Sequence, residues 1–388
     1  MYRGKVDLEK IAEKKIEERL KIMSLQEEIA KKSSEIYREA YQMSIGELIN
    51  LYRDEELDIH PEFQRVFRWS DYQKTKLIES IMLNIPIPQI FVSQREDGTW
   101  DVIDGVQRLS TIFQFVGILK DEEGKNIQPL ILEATDDLPS FAGMKWQGDG
   151  ELSFTKEQQL TLKRARLDVI IIKKESDTNT KYELFQRLNT GGSLLSDQEV
   201  RSCLVIMSNR NIYELIDKLS KNASYEKCLK ISARKSGEQY DQEMIVRLLV
   251  ADHIDWNIIS KYKDFSELLD KEILSICDDA SYNITDITER FENTFDLLAG
   301  LFGEDVFRKY EGEKYTGPFL ASAFQTIAFG VLSNVEKILE FDDKNDWLKE
   351  KVKAIYSQET YIKNTIPGVR AIPRYKELSI WGREYFKR

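Results

Sequence analysis

The segment Asp104-Gly105-Val106-Gln107-Arg108 holds residue types that can bind an anion. A flexible glycine stands directly before an apolar helical pattern, and the first N–H groups of a helix have no partner within it. The helix dipole also favours negative charge at that end, so a phosphate is the ligand that this turn would take. Two alternatives without a ligand stay open, namely an ordinary strand-to-helix turn and a role for Asp104 as a simple N-cap.

Two arginines upstream could complete such an anion site. Arg65 and Arg68 lie among aromatic residues, between His60 and Trp69. A guanidinium group can bind two phosphate oxygens through parallel hydrogen bonds. The alternative is a surface or structural ion pair, which is the commoner role of an arginine.

A second polar loop follows the helical pattern that ends at Leu188. It reads Asn189-Thr190-Gly191-Gly192, and we predict that it lies near the same pocket. A helix C-cap followed by a turn would explain these four residues without a ligand.

Local signals predict the elements that position these residues. Ser70 and Gln73 have the spacing of a capping box, so a helix begins there, and Ser196 and Glu199 repeat the pattern. Asp97-Gly98 between two β-forming stretches predicts a hairpin. The expected order around the anion-binding turn is therefore strand, tight turn, helix, with a further strand over residues 167–172.

Three segments of the chain differ in their pattern. Residues 1–42 are rich in Glu, Lys and Arg, which predicts a long charged helix that is either solvated or an arm for a partner or a second copy. Residues 43–205 alternate strand-like and helix-like stretches, and residues 206–388 show helical periodicity. We therefore predict an α+β protein, with an α/β N-terminal domain followed by an all-helical C-terminal domain.

Composition argues against several classes of protein. The three cysteines, at positions 203, 228 and 277, show no CxxC spacing, and His60 and His253 are the only histidines. A thiolate metal site, a disulfide framework and a histidine-based metal site are therefore not expected. We find neither a signal sequence nor a membrane-spanning segment, and so expect a cytoplasmic protein. The net charge of −11 disfavours a polyanion unless a local basic patch meets it.

Five sequence blocks in order carry a resemblance to a known family. They include Pro61-x-Phe63-Gln64-Arg65, Ile103-Asp104-Gly105-x-Gln107-Arg108-Leu109, Phe185-x-Arg187-Leu188-Asn189-Thr190-Gly191-Gly192 and Leu195-Ser196-x-Gln198-Glu199-x-Arg201. Together they resemble the GmrSD-type N-terminal domain family (domain of unknown function 262) of the ParB/sulfiredoxin-like superfamily, whose DGQQR signature stands at residues 104–108. The resemblance implies a ParB/sulfiredoxin-like nucleotide-binding domain and a role in bacterial anti-phage or restriction-type defence.

The resemblance also implies that the bound ligand is a nucleoside triphosphate and that it is hydrolysed, and we infer that Mg²⁺ binds with it. Gly105 and nearby backbone N–H groups would hold the phosphates, and Arg65 and Arg108 would neutralise their charge. Arg68 and the Asn189, Thr190, Gly191, Gly192 loop would lie nearby. Asp104 is the candidate for holding Mg²⁺ or polarising an attacking water, and Gln107 or Gln64 for orienting that water. Val106 stands where the family usually has glutamine, and it offers neither donor nor acceptor. Nucleotide-gated interaction without turnover therefore stays open.

DNA binding or cleavage is a further alternative. Its basic patches would be Lys163-Arg164-x-Arg166, Lys230 with Arg234-Lys235, and the C-terminal Arg370, Arg374 and Arg383. An HNH nuclease is not expected, because the C-terminal half holds only His253. Sulfiredoxin chemistry is not expected either, because the nearest cysteine to Asp104 is Cys203. A nuclease or effector could instead be a separate partner subunit, and a homo-oligomer is also open.

Overall fold

The computed structural model describes residues 25, 38–59, 69–121, 123–148, 152–173, 196–232, 235, 236 and 238–388. The chain divides into two compact units between Gly191 and Gly192. Most of the predicted N-terminal helix, the segment from His60 to Arg68 and the Asn189–Gly192 loop lie outside the described residues. The limits predicted for the three segments, 1–42, 43–205 and 206–388, stay a prediction.

The first unit contains a five-stranded sheet in the order β1-β5-β3-β4-β2. Its strands are β1 (Arg38–Ser44), β2 (Leu57–Asp58), β3 (Ile90–Gln94), β4 (Trp100–Asp104) and β5 (Arg166–Ile172). β5 is parallel to β3, and β3 is antiparallel to β4, with a register shift between Phe91 and Val92. The sheet therefore places the end of β4 beside the start of β3.

The prediction that the N-terminal helix continues to residue 42 is wrong at its C-terminal end. Residues 38–42 belong to β1, where they pair in antiparallel register with residues 168–172 of β5. Their charge pattern favours a helix locally. Pairing with a buried strand satisfies their backbone groups instead, and local propensity does not report that pairing.

Four helices of the first unit are described: α1 (Ile45–Arg53), α2 (Asp71–Met82), α3 (Val106–Val116) and α4 (Lys156–Arg164). The capping box of Ser70 and Gln73 begins α2, as predicted. The β3–β4 hairpin also forms as predicted, with Gly98 at φ 93°. Side chains of α3 and the sheet, such as Leu109 and Val92, are buried together in the core.

The second unit is mostly helical. Its helices are α5 (Asp197–Ser208), α6 (Arg210–Ser220), α7 (Ala223–Cys228), α8 (Tyr240–His253), α9 (Phe265–Asp278), α10 (Ile284–Leu301), α11 (Ala321–Leu332), α12 (Val335–Leu339), α13 (Lys344–Ala354), α14 (Glu359–Thr365) and α15 (Ala371–Tyr385). The predicted α+β class is confirmed. Among the helices that the structure describes, none has the length and apolar character needed to cross a membrane.

The expectation of an all-helical C-terminal domain needs one correction. Strands β6 (Lys309–Glu311) and β7 (Lys314–Thr316) form an antiparallel hairpin. Gly312 and Glu313 at its tip have φ values of 59° and 67°. Two successive positive φ values are typical of the two-residue turn whose twist matches that of the flanking strands. The hairpin was not predicted because strands of three residues are too short to show a clear alternating pattern.

Two helices of the second unit approach unusually closely. A Cβ atom added to Gly330 of α11 would lie 2.5 Å from the carbonyl oxygen of Gly382, and one added to Gly382 of α15 would lie 2.5 Å from that of Thr326. The amide of Asn334 donates to the carbonyl of Arg383 at 2.9 Å, and the Tyr375 hydroxyl donates to the carbonyl of Arg247 at 2.5 Å. Backbone contact therefore fixes α15 against α11.

A buried polar network lies at the start of the second unit. Arg201 of α5 is 1% exposed, and its Nε donates to Asp270 of α9 at 2.7 Å. Its other nitrogens donate to Gln198 at 2.6 Å and to Ser266 at 3.2 Å. The predicted capping box of Ser196 and Glu199 begins the same helix. These polar residues are thus part of the core of the helical unit.

Two of the three thiols are also in that core. Burial raises the pKa of Cys228 and of Cys277 to about 12. Both side chains therefore stay protonated near neutral pH and are poor nucleophiles.

Candidate functional site

Gly105 connects β4 to α3 in the predicted order of strand, turn and helix. It is the N-cap of α3 and has a left-handed backbone, with φ 104° and ψ 9°. A Cβ atom at this position would lie 2.3 Å from Cδ1 of Ile90 in β3. Both the backbone conformation and the close neighbour therefore require glycine here.

The start of α3 has the features of an anion-binding helix end. Gly105 provides no side-chain cap, and the first turn holds no acidic residue. The N–H group of Leu109 is bonded to the carbonyl of Gly105 at 2.9 Å, which closes the first turn. The N–H groups ahead of Leu109 precede the regular helical bonding pattern, and the dipole makes this end electropositive.

Arg108 is largely enclosed by the fold, since its side chain is 11% exposed. One terminal nitrogen, Nη1, donates to the carbonyl of Pro88 and to that of Gln89 at 3.1 Å. The other, Nη2, donates to Oδ2 of Asp104 at 2.8 Å. Arg108 thus ties the end of β4 to the segment that leads into β3.

Asp104 is more open than its partner. Its side chain is 48% exposed, and only Oδ2 bonds to Arg108. Within the described ranges, no group of three or more His, Cys, Asp or Glu side chains is arranged to hold a metal ion. A divalent cation that arrives with a nucleotide needs only one or two protein carboxylates, because phosphate oxygens and water complete its shell. The exposed carboxylate of Asp104 fits that requirement.

The two residues between Gly105 and Arg108 differ in their surroundings. Val106 is partly buried and packs against the hydrophobic core of the first unit. The main-chain carbonyl of Gln107 accepts a hydrogen bond from the Thr111 hydroxyl at 2.7 Å. Val106 therefore has a packing role that explains an apolar residue at this position without reference to a ligand.

The structure brings together Asp104, Gly105 and Arg108, as the sequence motif requires. Gln107, another predicted site residue, lies in the first turn of α3. The remaining predicted site residues, namely Gln64, Arg65, Arg68, Asn189, Thr190, Gly191 and Gly192, lie outside the described residues. The sequence did not lead us to the main-chain carbonyls of Pro88 and Gln89 as hydrogen-bond acceptors for Arg108. The sequence Ile85-Pro86-Ile87-Pro88 contains a signal for them, because prolines lack an N–H group and an extended proline-rich segment keeps carbonyls that need donors from elsewhere.

Several cations proposed for a DNA surface have partners within the protein. Lys230 pairs with Glu304 at 2.5 Å, and a terminal nitrogen of Arg374 donates to the carbonyl of Val369 at 2.6 Å. The guanidinium of Arg383 lies 5.1 Å from the centre of the Phe329 ring. Arg164, Arg166 and Arg370 are exposed, and they stay candidates for a basic contact.

The first unit is therefore an α/β domain in which a strand, a glycine turn and a helix place an Asp–Arg pair at a helix start. Residues 45–206 match the family model of the GmrSD restriction endonuclease, N-terminal domain. The chain thus carries a GmrSD-type N-terminal domain, as the sequence blocks indicated. Neither the curated proteins nor the solved structures provide a match to this chain.

Proposed function

We propose that this chain is a nucleotide-binding protein of a restriction-type defence system, and that it hydrolyses a nucleoside triphosphate bound at the start of α3. The observation that carries the proposal is the uncapped start of α3 beside the Asp104–Arg108 pair, within a domain that matches the GmrSD model. Relation to the ParB/sulfiredoxin-like superfamily is part of the same proposal.

The backbone at this helix start suits a triphosphate. Its N–H groups carry partial positive charge, and each hydrogen bond to a charged oxygen is worth about 1.5–3 kcal/mol. Mg²⁺ would neutralise charge on the phosphates, and Asp104 is the residue that would hold it. Gln107 and Gln64 are the proposed groups for orienting the attacking water, as expected where positioning and electrostatics provide most of the catalysis.

A second candidate is a nucleotide-gated interaction module without turnover. The observation that favours it is the packing of Val106 against the core at the position where the family usually has glutamine. A partner of such a module would be a separate nuclease or effector subunit, and nucleotide binding would control their association.

A panel of ATP, GTP, CTP and UTP tests both candidates. Binding is measured by calorimetry and turnover by phosphate release, each with and without Mg²⁺ and DNA. The proposed hydrolase binds at least one triphosphate and releases phosphate in an Mg²⁺-dependent way. Binding without product supports the interaction module. DNA binding or cleavage with no effect of any nucleotide would contradict both and leave the basic surface of Arg164 and Arg166 as the functional one.

Val106→Gln is expected to raise phosphate release by about 10²-fold, because one well-placed polar group can change a rate by that much. The triphosphate affinity stays within a few-fold, since the amide adds no charge contact. Val106→Leu is the matched control, because it lengthens the side chain without an amide. Equal or lower release from Val106→Gln, with a melting temperature lowered as in Val106→Leu, would show that Val106 acts only in packing.

A further inference from the structure

Arg108 bears a positive charge that could attract a phosphate, yet three of the four hydrogens on its terminal nitrogens are already donated within the protein. Nη1 donates to two carbonyls and Nη2 donates to Asp104. To bind a phosphate through both terminal nitrogens, the guanidinium would have to release one of the two carbonyls from Nη1, because both hydrogens of that nitrogen are donated. The released carbonyl would then lose its donor, which makes such a movement unfavourable.

The three acceptors come from two places in the sheet. Asp104 ends β4, whereas Pro88 and Gln89 immediately precede β3. Arg108 itself lies in the first turn of α3, one residue before the N–H of Leu109 closes that turn. One guanidinium therefore fixes the strand end, the segment ahead of β3 and the helix start relative to one another.

This arrangement also fixes the Asp104 carboxylate. Oδ2 is held by Arg108, and no described residue forms a hydrogen bond with Oδ1. The Asp104 side chain is about half exposed to solvent. Oxygen ligands suit Mg²⁺, and a ligating carboxylate is commonly held by a hydrogen bond to its second oxygen.

We infer that Arg108 is a positioning residue and not a phosphate ligand. It holds Asp104 so that the free oxygen of this carboxylate meets a divalent cation that arrives with the nucleotide, while the phosphates contact the backbone N–H groups at the start of α3. The inference rests on the proposed function and gives each residue of the Asp104–Arg108 pair a separate role.

The test separates affinity for the bare nucleotide from the gain that Mg²⁺ adds. Calorimetry with the triphosphate that the wild type binds best is run in EDTA and in Mg²⁺ for the full-length wild type, Arg108→Ala, Arg108→Lys and Asp104→Asn. In EDTA, all variants are expected to bind within a few-fold of the wild type. In Mg²⁺, Arg108→Ala and Asp104→Asn lose most of the gain, by the ~10–100-fold typical for removal of a group that orients a metal ligand.

Several outcomes would overturn the inference. An Arg108→Ala protein that loses its affinity in EDTA while Asp104→Asn keeps it would make Arg108 a phosphate ligand. An Asp104→Asn protein that keeps the full Mg²⁺ gain would remove Asp104 as the cation ligand. If Arg108→Ala fails to fold by circular dichroism, Arg108→Lys decides, because lysine keeps the charge but cannot span the three acceptors. A wild type that binds no triphosphate in either condition overturns the proposed function and this inference with it.

Discussion

Gly105→Ala is expected to lower the free energy of unfolding of the first unit by about 2–5 kcal/mol, the sum of left-handed strain and overpacking. The strain arises because alanine does not readily adopt φ 104°. The overpacking arises because its Cβ would lie 2.3 Å from Cδ1 of Ile90. Urea unfolding followed by tryptophan fluorescence measures the loss.

Gly98→Ala is the matched control for this prediction. Gly98 has a similar φ of 93°, but a Cβ atom there would have no neighbour within 4 Å. It should cost only the strain, about 1–2 kcal/mol. Adding Ile90→Val to Gly105→Ala removes Cδ1 and should recover part of the difference. If the Gly105 and Gly98 variants lose the same stability, the contact between Gly105 and Ile90 is not tight and the spatial part of the prediction fails.

Arg201→Met is expected to lower the free energy of unfolding of the helical unit by about 3–5 kcal/mol, because it removes a buried charge-assisted hydrogen bond to Asp270 at 2.7 Å. Both side chains are almost fully enclosed, with exposures of 1% and 3%. Thermal unfolding followed by circular dichroism, together with urea titration, gives the change.

The double variant Arg201→Met, Asp270→Leu sharpens the prediction. An apolar pair of similar volume should recover most of the lost stability, because neither charge of the pair remains in the core. Lys309→Met is the surface control, since Lys309 and Glu311 are 51% and 65% exposed and such a pair is worth about 0–1 kcal/mol. A single Arg201→Met variant as stable as the Lys309→Met protein would contradict the assigned role of the buried pair.

The features that could be predicted from the sequence are those set by neighbouring residues. The capping boxes at Ser70 and Ser196, the hairpin at Asp97-Gly98 and the left-handed turn of Gly105 between β4 and α3 are set by residues within a few positions. Their chemistry is local, so a short window of sequence contains it.

The features that could not be predicted depend on partners far apart in the chain. The start of β1 forms a strand because β5 pairs with it, and Arg108 finds its carbonyl acceptors 19 and 20 residues upstream. Arg201 and Asp270 are 69 residues apart. No periodicity or local propensity reports such pairings, because only the folded chain brings the groups together.

The structure also distinguishes two kinds of residue within the sequence blocks that resemble the family, namely those with a structural role and those without one. Glu199 completes a capping box, and Gln198 and Arg201 belong to the buried network, so these three residues have structural roles in α5. Asp104, by contrast, is about half exposed and needs no such role to complete the core. Residues of the second kind are the better targets for functional mutagenesis.

The close approach of α15 to α11 has a consequence for synthesis. Gly382 fills the space against Gly330, and Tyr375 reaches back to the carbonyl of Arg247 in α8. A nascent chain that has left the ribosome only as far as α14 therefore exposes the surface of α11 that α15 later covers. The helical unit can complete its core only after translation has passed Tyr385, whereas the sheet domain, translated earlier, can fold while synthesis continues.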